Sequence, residues 1–364
     1  MTSKQQKTLF CSNIQGTYSV ELIDVPELGP GEVLVELQAV GLNPIDWFMR
    51  ERGLFVPKWP AIFGLDGAGV VIKVGEGVAN IEVGDRVMHA GTMVEPKIST
   101  FLQYAAIKAD FVAKVPDNIS LDEASTIPLV LATAALGLYD SKRSPHGGLG
   151  LTPPWEKGGR GKYADEPIVI NAGSTSVGQF LIQFAKISGF SPIITTASRH
   201  NEEYLKSLGA THIIDRTIPL SSLPSAVHAI TEKPIVYGAD AISTAETQNA
   251  MCDVVAPGGD LLIVTHKRIA KEKLEGGEKH IAWVFADVQY PSARPCGLAL
   301  YANMTGLLER GEIKVGHIIR QALSTQPNRI KIVSSGLAGI PGALDTLKSG
   351  VSALKLVVRP QETP

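Results

Sequence analysis

Cysteine is scarce in this chain of 364 residues, which contains three: Cys11, Cys252 and Cys296. They are widely spaced and form no C-x-x-C pair, so neither a disulfide framework nor a four-cysteine zinc site can be built from them. Chains without disulfides are typical of reducing compartments. We therefore expect a cytoplasmic protein.

A strong net charge and a long apolar run are also missing. The formal net charge is −2, which leaves no electrostatic footprint for a nucleic acid. The longest near-apolar run, Pro128–Tyr139, is too short to cross a bilayer, and the polar residues 1–7 are not followed by a signal-type apolar core. Hydrophobic residues make up 44% and charged residues 19%, as in globular proteins. We expect a monomer or homodimer of about two domains, without a membrane or nucleic-acid partner.

Residues 1–128 are typical of a small β-barrel. Val33–Val40 and Gly64–Val74 are rich in β-forming residues, and Val83–Val87 carries a Gly-Asp turn between apolar positions. Glycine, proline and aspartate interrupt this part of the chain about every ten residues. The sequence therefore predicts short strands joined by tight turns.

Residues 129–304 have a different pattern, in which strands alternate with helices. Ile168–Asn171 and Pro192–Ala197 are typical buried strands, and Gly178–Ser188 and Asn201–Leu208 have apolar residues at helical spacing. Further strands are predicted at the segments 211–215, 239–242 and 260–264, and a last one at 354–359. Such alternation favours an α/β fold with a doubly wound parallel sheet.

A segment rich in glycine and proline, residues 141–167, interrupts the second part of the chain. It contains six glycines as well as Pro145, Pro153 and Pro154. This composition predicts a surface loop, in part disordered, that buries little. A tolerated insertion and a loop that docks a partner are both compatible with it.

A glycine-containing loop lies between the first of these strands and the first helix. It has the spacing G-x-T-x-x-G over Gly173, Ser174, Thr175, Ser176, Val177 and Gly178. Here the middle glycine of the dinucleotide fingerprint is replaced by Thr175. We interpret Gly173 as the residue of the tight turn and Gly178 as the point of close contact between helix and strand. The helix N-terminus would bind a pyrophosphate.

The end of the second predicted strand indicates which dinucleotide binds. Ser198, Arg199 and His200 stand about 20 residues after the loop, where an acidic residue would favour NAD. An arginine there can bind a 2′-phosphate instead, and a serine can add a hydrogen bond. The sequence therefore predicts NADPH as the cofactor. The alternative is that Arg199 and His200 belong to a solvated loop.

Several segments together resemble the zinc-free branch of the medium-chain dehydrogenase/reductase superfamily. The matching segments are Asn43-Pro44-x-Asp46, Gly64-x-Asp66-x-Ala68-Gly69, Val83-Gly84-Asp85-Arg86-Val87, residues 172–178, Leu208-Gly209-Ala210 and Lys355-Leu-Val-Val-Arg359. Leu65 and Asp66 replace the histidine and glutamate found in the zinc enzymes, and an apolar side chain cannot bind a cation. We therefore expect no metal. The match is closest to the trans-acting enoyl reductases of polyketide pathways, of the lovastatin type, and their ToxD-like relatives, and extends to quinone oxidoreductases.

The resemblance implies a GroES-like barrel domain completed by about residues 305–364, a Rossmann domain, and an active site in the cleft between them. It implies hydride transfer from NADPH to the β-carbon of an α,β-unsaturated carbonyl compound. Asn43 resembles the asparagine near the nicotinamide ribose, and Thr133 resembles the threonine near the nicotinamide ring. From the sequence alone, Asn43 can also be a turn residue before Pro44, and Thr133 an ordinary helix residue.

One departure from the relatives concerns the proton that the reduced product needs. Relatives often have lysine or tyrosine two residues after the position of Asp46, whereas this chain has Phe48, which cannot donate a proton. The leading hypothesis is an enoyl reductase for a small-molecule or carrier-tethered enoyl substrate, with an acyl-carrier protein of a polyketide synthase as partner. The alternatives are a quinone oxidoreductase and a non-catalytic NADPH-binding protein.

Overall fold

The computed structural model describes residues 4–92, 95–143, 146–275, 279–315, 329–351 and 354–364. Its strands are β1 (Gln5–Cys11), β2 (Tyr18–Asp24), β3 (Glu32–Gly41), β4 (Ala61–Ile62), β5 (Asp66–Val74), β6 (Arg86–Ala90), β7 (Tyr104–Lys108), β8 (Ala113–Lys114), β9 (Ile168–Asn171), β10 (Ile193–Ala197), β11 (His212–Asp215), β12 (Tyr237–Asp240), β13 (Asp260–Ile263), β14 (His280–Trp283), β15 (Arg329–Val333) and β16 (Leu354–Val358). Its helices are α1 (Pro44–Arg52), α2 (Leu121–Ala124), α3 (Pro128–Tyr139), α4 (Ser176–Ser188), α5 (Glu202–Leu208), α6 (Leu223–His228), α7 (Ala245–Val254), α8 (Arg294–Glu309) and α9 (Ile340–Ser349). The predicted strands and helices named above are present, with ends that differ by two residues at most.

The chain divides into two compact units. The first contains the described residues up to Leu129, Tyr301–Glu309 and those from Val315 onwards. It holds a three-stranded sheet in the order β2-β1-β4 and a larger, mainly antiparallel sheet in the order β15-β16-β3-β5-β6-β8, with β7 also paired to β3. Strand β3 pairs antiparallel with both β5 and β16, which brings the last strand of the chain beside the loop that follows β3.

The second unit contains Val130–Leu300 and Arg310–Lys314. The six strands described in this unit are all parallel and lie in the order β11-β10-β9-β12-β13-β14. The chain order of the strands is thus 3-2-1-4-5-6, that of a Rossmann sheet. The predicted α/β fold, with a doubly wound parallel sheet in the second part of the chain, is confirmed. Because all strands are parallel, the loops after β9, β10 and β12 leave the sheet at one edge.

The prediction that residues 141–167 bury little is wrong for the described part of this segment. Leu149 is completely buried and Leu151 nearly so, and their backbone N–H groups donate to Gly137 and Leu138 of α3. A Cβ atom on Gly148 would lie 2.1 Å from the carbonyl oxygen of Leu136. Gly148 therefore allows the backbone to approach helix α3 closely, where the composition suggested disorder.

One helical stretch, Leu121–Tyr139, is long and apolar enough to cross a membrane by length and composition alone. It is longer than the predicted apolar run because α2 and α3 follow each other closely. In its most apolar stretch of 18 residues, 78% is buried inside the protein, as expected for a helix of the hydrophobic core.

Candidate active site

The segment after β3 begins helix α1 with a well-defined N-terminus. Asn43 has extended backbone angles and is the N-cap, and Pro44 occupies the first helical position, where its missing N–H costs nothing. The carboxyl oxygen Oδ2 of Asp46, in the third position, accepts the backbone N–H of Asn43 at 2.7 Å. This is half of a capping box, and it explains why the Asn-Pro-x-Asp motif has this spacing.

The side chain of Asn43 is part of a buried network centred on Asp66. Asn43 Nδ2 donates to Asp66 Oδ2 at 2.8 Å, and the backbone N–H of Leu129 donates to Asp66 Oδ1 at 2.6 Å. Leu129 lies in the first turn of α3, so the carboxyl group of Asp66 also caps that helix. Asp66 has no solvent exposure and Asn43 is 2% exposed.

Lys355 completes this network, and sequence reasoning did not identify it as a site residue. Its Nζ donates to Asn43 Oδ1 at 2.6 Å and to Asp66 Oδ2 at 3.1 Å, although it lies 312 residues from Asn43. Strand β16 carries it there by pairing Val357 with Gly41 of β3. The available signal was a single lysine in an otherwise apolar strand, which predicts a buried cation with an anionic partner.

The buried environment changes the pKa of Asp46. Burial raises its pKa to about 7, and the nearby charge of Asp66 adds to that increase. The Asn43 N–H, the Lys355 ammonium and the Gly64 backbone act in the opposite direction. A carboxyl group with such a pKa holds a proton over much of the range in which an ordinary aspartate has lost it.

The residues at the zinc position of the resembling enzymes do not fit a metal. Leu65 has an apolar side chain that is 1% exposed, and both oxygens of Asp66 already accept hydrogen bonds from protein donors. Within the described ranges, no group of three or more histidine, cysteine, aspartate or glutamate side chains could hold a metal ion. Catalytic zinc needs about three such ligands, so Leu65 and Asp66 do not provide a zinc site.

The predicted phosphate loop forms the connection between β9 and α4. A Cβ on Gly173 would lie 2.1 Å from Thr195 Oγ1, and a Cβ on Gly178 would lie 2.4 Å from the Ala172 carbonyl oxygen. Gly178 therefore makes a close contact between the helix and the turn that follows β9, whereas the sequence prediction placed this contact at the strand. The prediction for Gly173 needs a correction, because the left-handed residue of the turn is Ala172, at φ 63°, and Gly173 is required by its contact with Thr195.

Thr175, which breaks the glycine fingerprint, acts as the N-cap of α4. Its Oγ1 donates to the Ala172 carbonyl at 2.8 Å and accepts the N–H of Gly178 at 3.0 Å. Ser174, Ser176 and Val177 are partly exposed around this helix start. First-turn N–H groups have no partner within a helix, so the loop fits the pyrophosphate of a dinucleotide.

A buried polar network at the ends of the strands holds the phosphate loop in place, and the sequence did not predict it. Thr196 Oγ1 accepts the Ala172 N–H at 2.8 Å and donates to Asn171 Oδ1 at 2.6 Å. Asn171 Nδ2 then donates to Asp240 Oδ1 at 2.8 Å. The three side chains stand at the ends of adjacent parallel strands, which is why the sheet brings them together.

Ser198, Arg199 and His200 follow β10 at the same edge of the sheet. Ser198 is partly exposed, and Arg199 and His200 are exposed. Arg199 Nε lies 3.2 Å from Asp215 Oδ2, and Asp215 is the residue opposite Ala197 at the end of β11. Hydrogen bonds from Thr217 and the charge of Arg199 lower the pKa of Asp215. The sequence prediction overlooked this carboxylate, which lies beside the expected 2′-phosphate position.

Two further residues from the sequence analysis have defined surroundings. Thr133 lies in α3 and is 9% exposed. The Phe48 ring stacks on Trp47 with a centroid distance of 3.8 Å, and the Arg52 guanidinium carbon lies 4.8 Å from the Phe48 ring centroid. Phe48 therefore belongs to an aromatic and cationic surface of α1 and provides no proton donor.

Comparisons with known proteins identify the family. The alcohol dehydrogenase GroES-like domain matches residues 29–117, and the zinc-binding dehydrogenase domain matches residues 176–275. The dehydrogenase orsE of Emericella nidulans is 32% identical over 92% of this chain and 93% of its own. The trans-enoyl reductase himH of Aspergillus japonicus is 29% identical over 90% of this chain and 89% of its own.

A solved structure agrees with this fold. An alcohol dehydrogenase superfamily protein from Novosphingobium aromaticivorans superposes with a TM-score of 0.75, at 24% identity, over 97% of this chain and 99% of that one. The chain belongs to the medium-chain dehydrogenase/reductase superfamily, in the branch without the zinc ligands. It is an oxidoreductase of that family, whose members bind a nicotinamide cofactor on the Rossmann domain.

The raised pKa of Asp46 has a consequence for stability. The folded protein keeps the Asp46 proton up to about pH 7, whereas the unfolded chain releases it near pH 4. Between these values the unfolded state binds fewer protons, so this group lowers the free energy of unfolding as the pH rises, and has no further effect above both pKa values.

We expect Asp46→Asn to remove this effect. The melting temperature of the variant, relative to that of the native protein, should increase as the pH rises from 4 to 7 and then stay constant. Asp110→Asn changes an exposed carboxyl group and is the control. A difference between Asp46→Asn and the native protein that does not vary with pH would contradict the assignment.

Proposed function

We propose that this oxidoreductase uses NADPH to reduce the carbon–carbon double bond of an α,β-unsaturated carbonyl compound, without zinc. One observation carries the proposal: Leu65 and Asp66 occupy the position of the zinc-binding segment. The Asp66 carboxyl group already accepts hydrogen bonds from Asn43, Leu129 and Lys355. In the zinc-dependent oxidation of an alcohol, the metal binds the alcohol oxygen as a Lewis acid and the oxidised nicotinamide accepts the hydride. Reduction of a conjugated alkene needs only a hydride donor, groups that stabilise the developing enolate, and a proton.

The residues of this chain then have the following roles. The bound nicotinamide supplies the hydride for the β-carbon. Gly173 to Gly178 and the start of α4 bind the pyrophosphate, while Ser198, Arg199 and His200 bind the adenosine ribose and its 2′-phosphate. Asn43 and Thr133 orient the nicotinamide half of the cofactor, as in the enzymes that the sequence resembles. Since Phe48 cannot donate a proton, the α-carbon takes its proton from water or from another residue.

The substrate is an enoyl group, free or tethered to an acyl-carrier protein. Support for a tethered substrate comes from the relatives, since himH is named a trans-enoyl reductase and is similar over nearly the whole chain. In this role the protein acts in trans on a polyketide synthase, in the cytoplasm.

The direct test is the consumption of NADPH by the purified protein in the presence of a metal chelator. The panel contains 2-enoyl thioesters, free enones and quinones, and the products are identified by mass spectrometry. We expect saturated carbonyl products, with thioesters preferred. Quinols as the main products would assign the protein as a quinone oxidoreductase, and tight NADPH binding without turnover would overturn the proposed catalysis.

The choice of NADPH depends on Arg199, which must bind the 2′-phosphate in competition with Asp215. Arg199 has 73% of its side chain exposed, so it can reorient at little cost. Hydrogen bonds between charged groups contribute about 1.5–3 kcal/mol. We therefore expect Arg199→Glu to weaken NADPH binding about 10- to 100-fold, with a much smaller effect on NADH, as measured by nicotinamide fluorescence. Ser198→Asp should act in the same direction.

The matched control is Lys206→Glu, which makes the same change of charge on the exposed side of α5, where Lys206 pairs with Glu202. This control should leave the ratio of the affinities for NADPH and NADH nearly unchanged. Unaltered NADPH affinity in both Arg199→Glu and Ser198→Asp would show that the 2′-phosphate is bound elsewhere or not at all.

A further inference from the structure

The chemistry of its two neighbours fixes the orientation of the Asn43 side-chain amide. An ammonium group only donates hydrogen bonds and a carboxylate only accepts them, whereas an amide has one end of each kind. The amide oxygen faces Lys355 Nζ at 2.6 Å, and the amide nitrogen faces Asp66 Oδ2 at 2.8 Å. Turning the amide over would place its NH₂ against the ammonium and its oxygen against the carboxylate, so one orientation is strongly favoured.

Lys355 itself is held firmly by the strand pairing and by tight packing. Leu42 donates to the Leu356 carbonyl at 2.9 Å, which aligns β16 with the end of β3. A Cβ on Gly41 would lie 3.2 Å from Lys355 Cε and 2.2 Å from the Ser125 carbonyl oxygen. Lysine is rarely buried unless it is paired, and here 6% of the side chain is exposed. Glycine at position 41 therefore provides the space for a buried lysine.

Lys355 also sets the balance of charge around helix α1. Two carboxyl groups and one ammonium group are buried in this region. Asp46 and Asp66 are fully inaccessible, Lys355 lies against Asp66, and its charge lowers the pKa of Asp46. Without Lys355, two neighbouring carboxyl groups would share a low-dielectric environment with no described cation in contact. One positive charge thus acts on both Asp66 and Asp46.

We propose that Lys355 is a positioning residue of the reductase site, which orients the Asn43 amide and compensates the buried charge of Asp66. This inference rests on the proposed function, in which Asn43 orients the nicotinamide half of the cofactor. Lys355 acts through Asn43 and is assigned no contact with substrate or cofactor.

Four variants separate positioning from a simple loss of stability. Lys355→Met removes the cation, and Lys355→Arg keeps the charge with a different shape. The double variant Lys355→Met, Asp66→Asn removes both charges, so it leaves no unpaired buried ion and remains able to fold even if the single variant does not. The control, Lys97→Met, removes a lysine 2.7 Å from the buried Glu32, which lies outside this network.

The first measurement needs neither cofactor nor activity. Carboxyl ¹³C NMR of the apoprotein follows the titration of Asp46, and the side-chain ¹H–¹⁵N signals of Asn43 report the orientation of its amide. We expect Lys355→Met to raise the Asp46 midpoint by about one pH unit and to shift the Asn43 signals. Lys97→Met should change neither. An unchanged Asp46 midpoint together with unchanged Asn43 signals would overturn the proposal.

The second measurement compares kcat, KM and the Kd of NADPH with thermal stability. A misplaced orienting group can reduce the rate by about 10- to 100-fold. We expect that loss in kcat for Lys355→Met and for the double variant, partial recovery in Lys355→Arg, and a nearly native kcat for Lys97→Met. A folded double variant with native kcat, or an equal loss in Lys97→Met, would contradict a positioning role.

Failure of the proposed function has a different signature. If the native protein reduces no enone, enoyl thioester or quinone, the proposed reaction is wrong whatever the variants do. The NMR titration then decides the role of Lys355 in orienting Asn43 by itself, because it uses the apoprotein. Raised Asp46 midpoints and shifted Asn43 signals would support the orientation, and unchanged values would overturn it.

Discussion

The buried carboxyl group of Asp66 is the constraint on which the first unit is organised. A carboxylate removed from water must be compensated by donors, and three groups from distant parts of the chain provide them: Asn43, the backbone of Leu129, and Lys355. The donors come from the start of α1, the start of α3 and the last strand. The pairing of β16 with β3, the N-cap of α1 and the glycine at position 41 are all consistent with this single requirement.

This arrangement is consistent with the proposed reaction without zinc. Asp66 occupies the place of a glutamate in the zinc enzymes, and an internal ammonium group, which cannot be lost by chelation, lies against it. A lysine ammonium cannot act as a Lewis acid towards an alcohol oxygen, so the site loses one kind of chemistry. What it keeps is a fixed polar framework, which suits a reaction in which the cofactor supplies the reactive group.

The second unit shows which features could be predicted from the sequence. Strand, turn and helix are contiguous around Gly173–Gly178, so the loop and the parallel sheet were predictable from local patterns. Lys355 and Asp215 were not, because each meets its partner only through strand pairing, and the partner of Lys355 is 312 residues away. The packing of residues 141–167 was missed for another reason: glycine allows both flexibility and close approach, and sequence alone does not distinguish them.

The central claim is that the protein transfers a hydride to an activated alkene without a metal. Its most direct test uses NADPH with deuterium at both C4 positions of the nicotinamide, with a 2-enoyl thioester and a chelator, and locates the label in the product by NMR. The proposed reaction places deuterium at the β-carbon and a solvent-derived proton at the α-carbon. Absence of label from the product, or turnover that requires stoichiometric zinc, would contradict it.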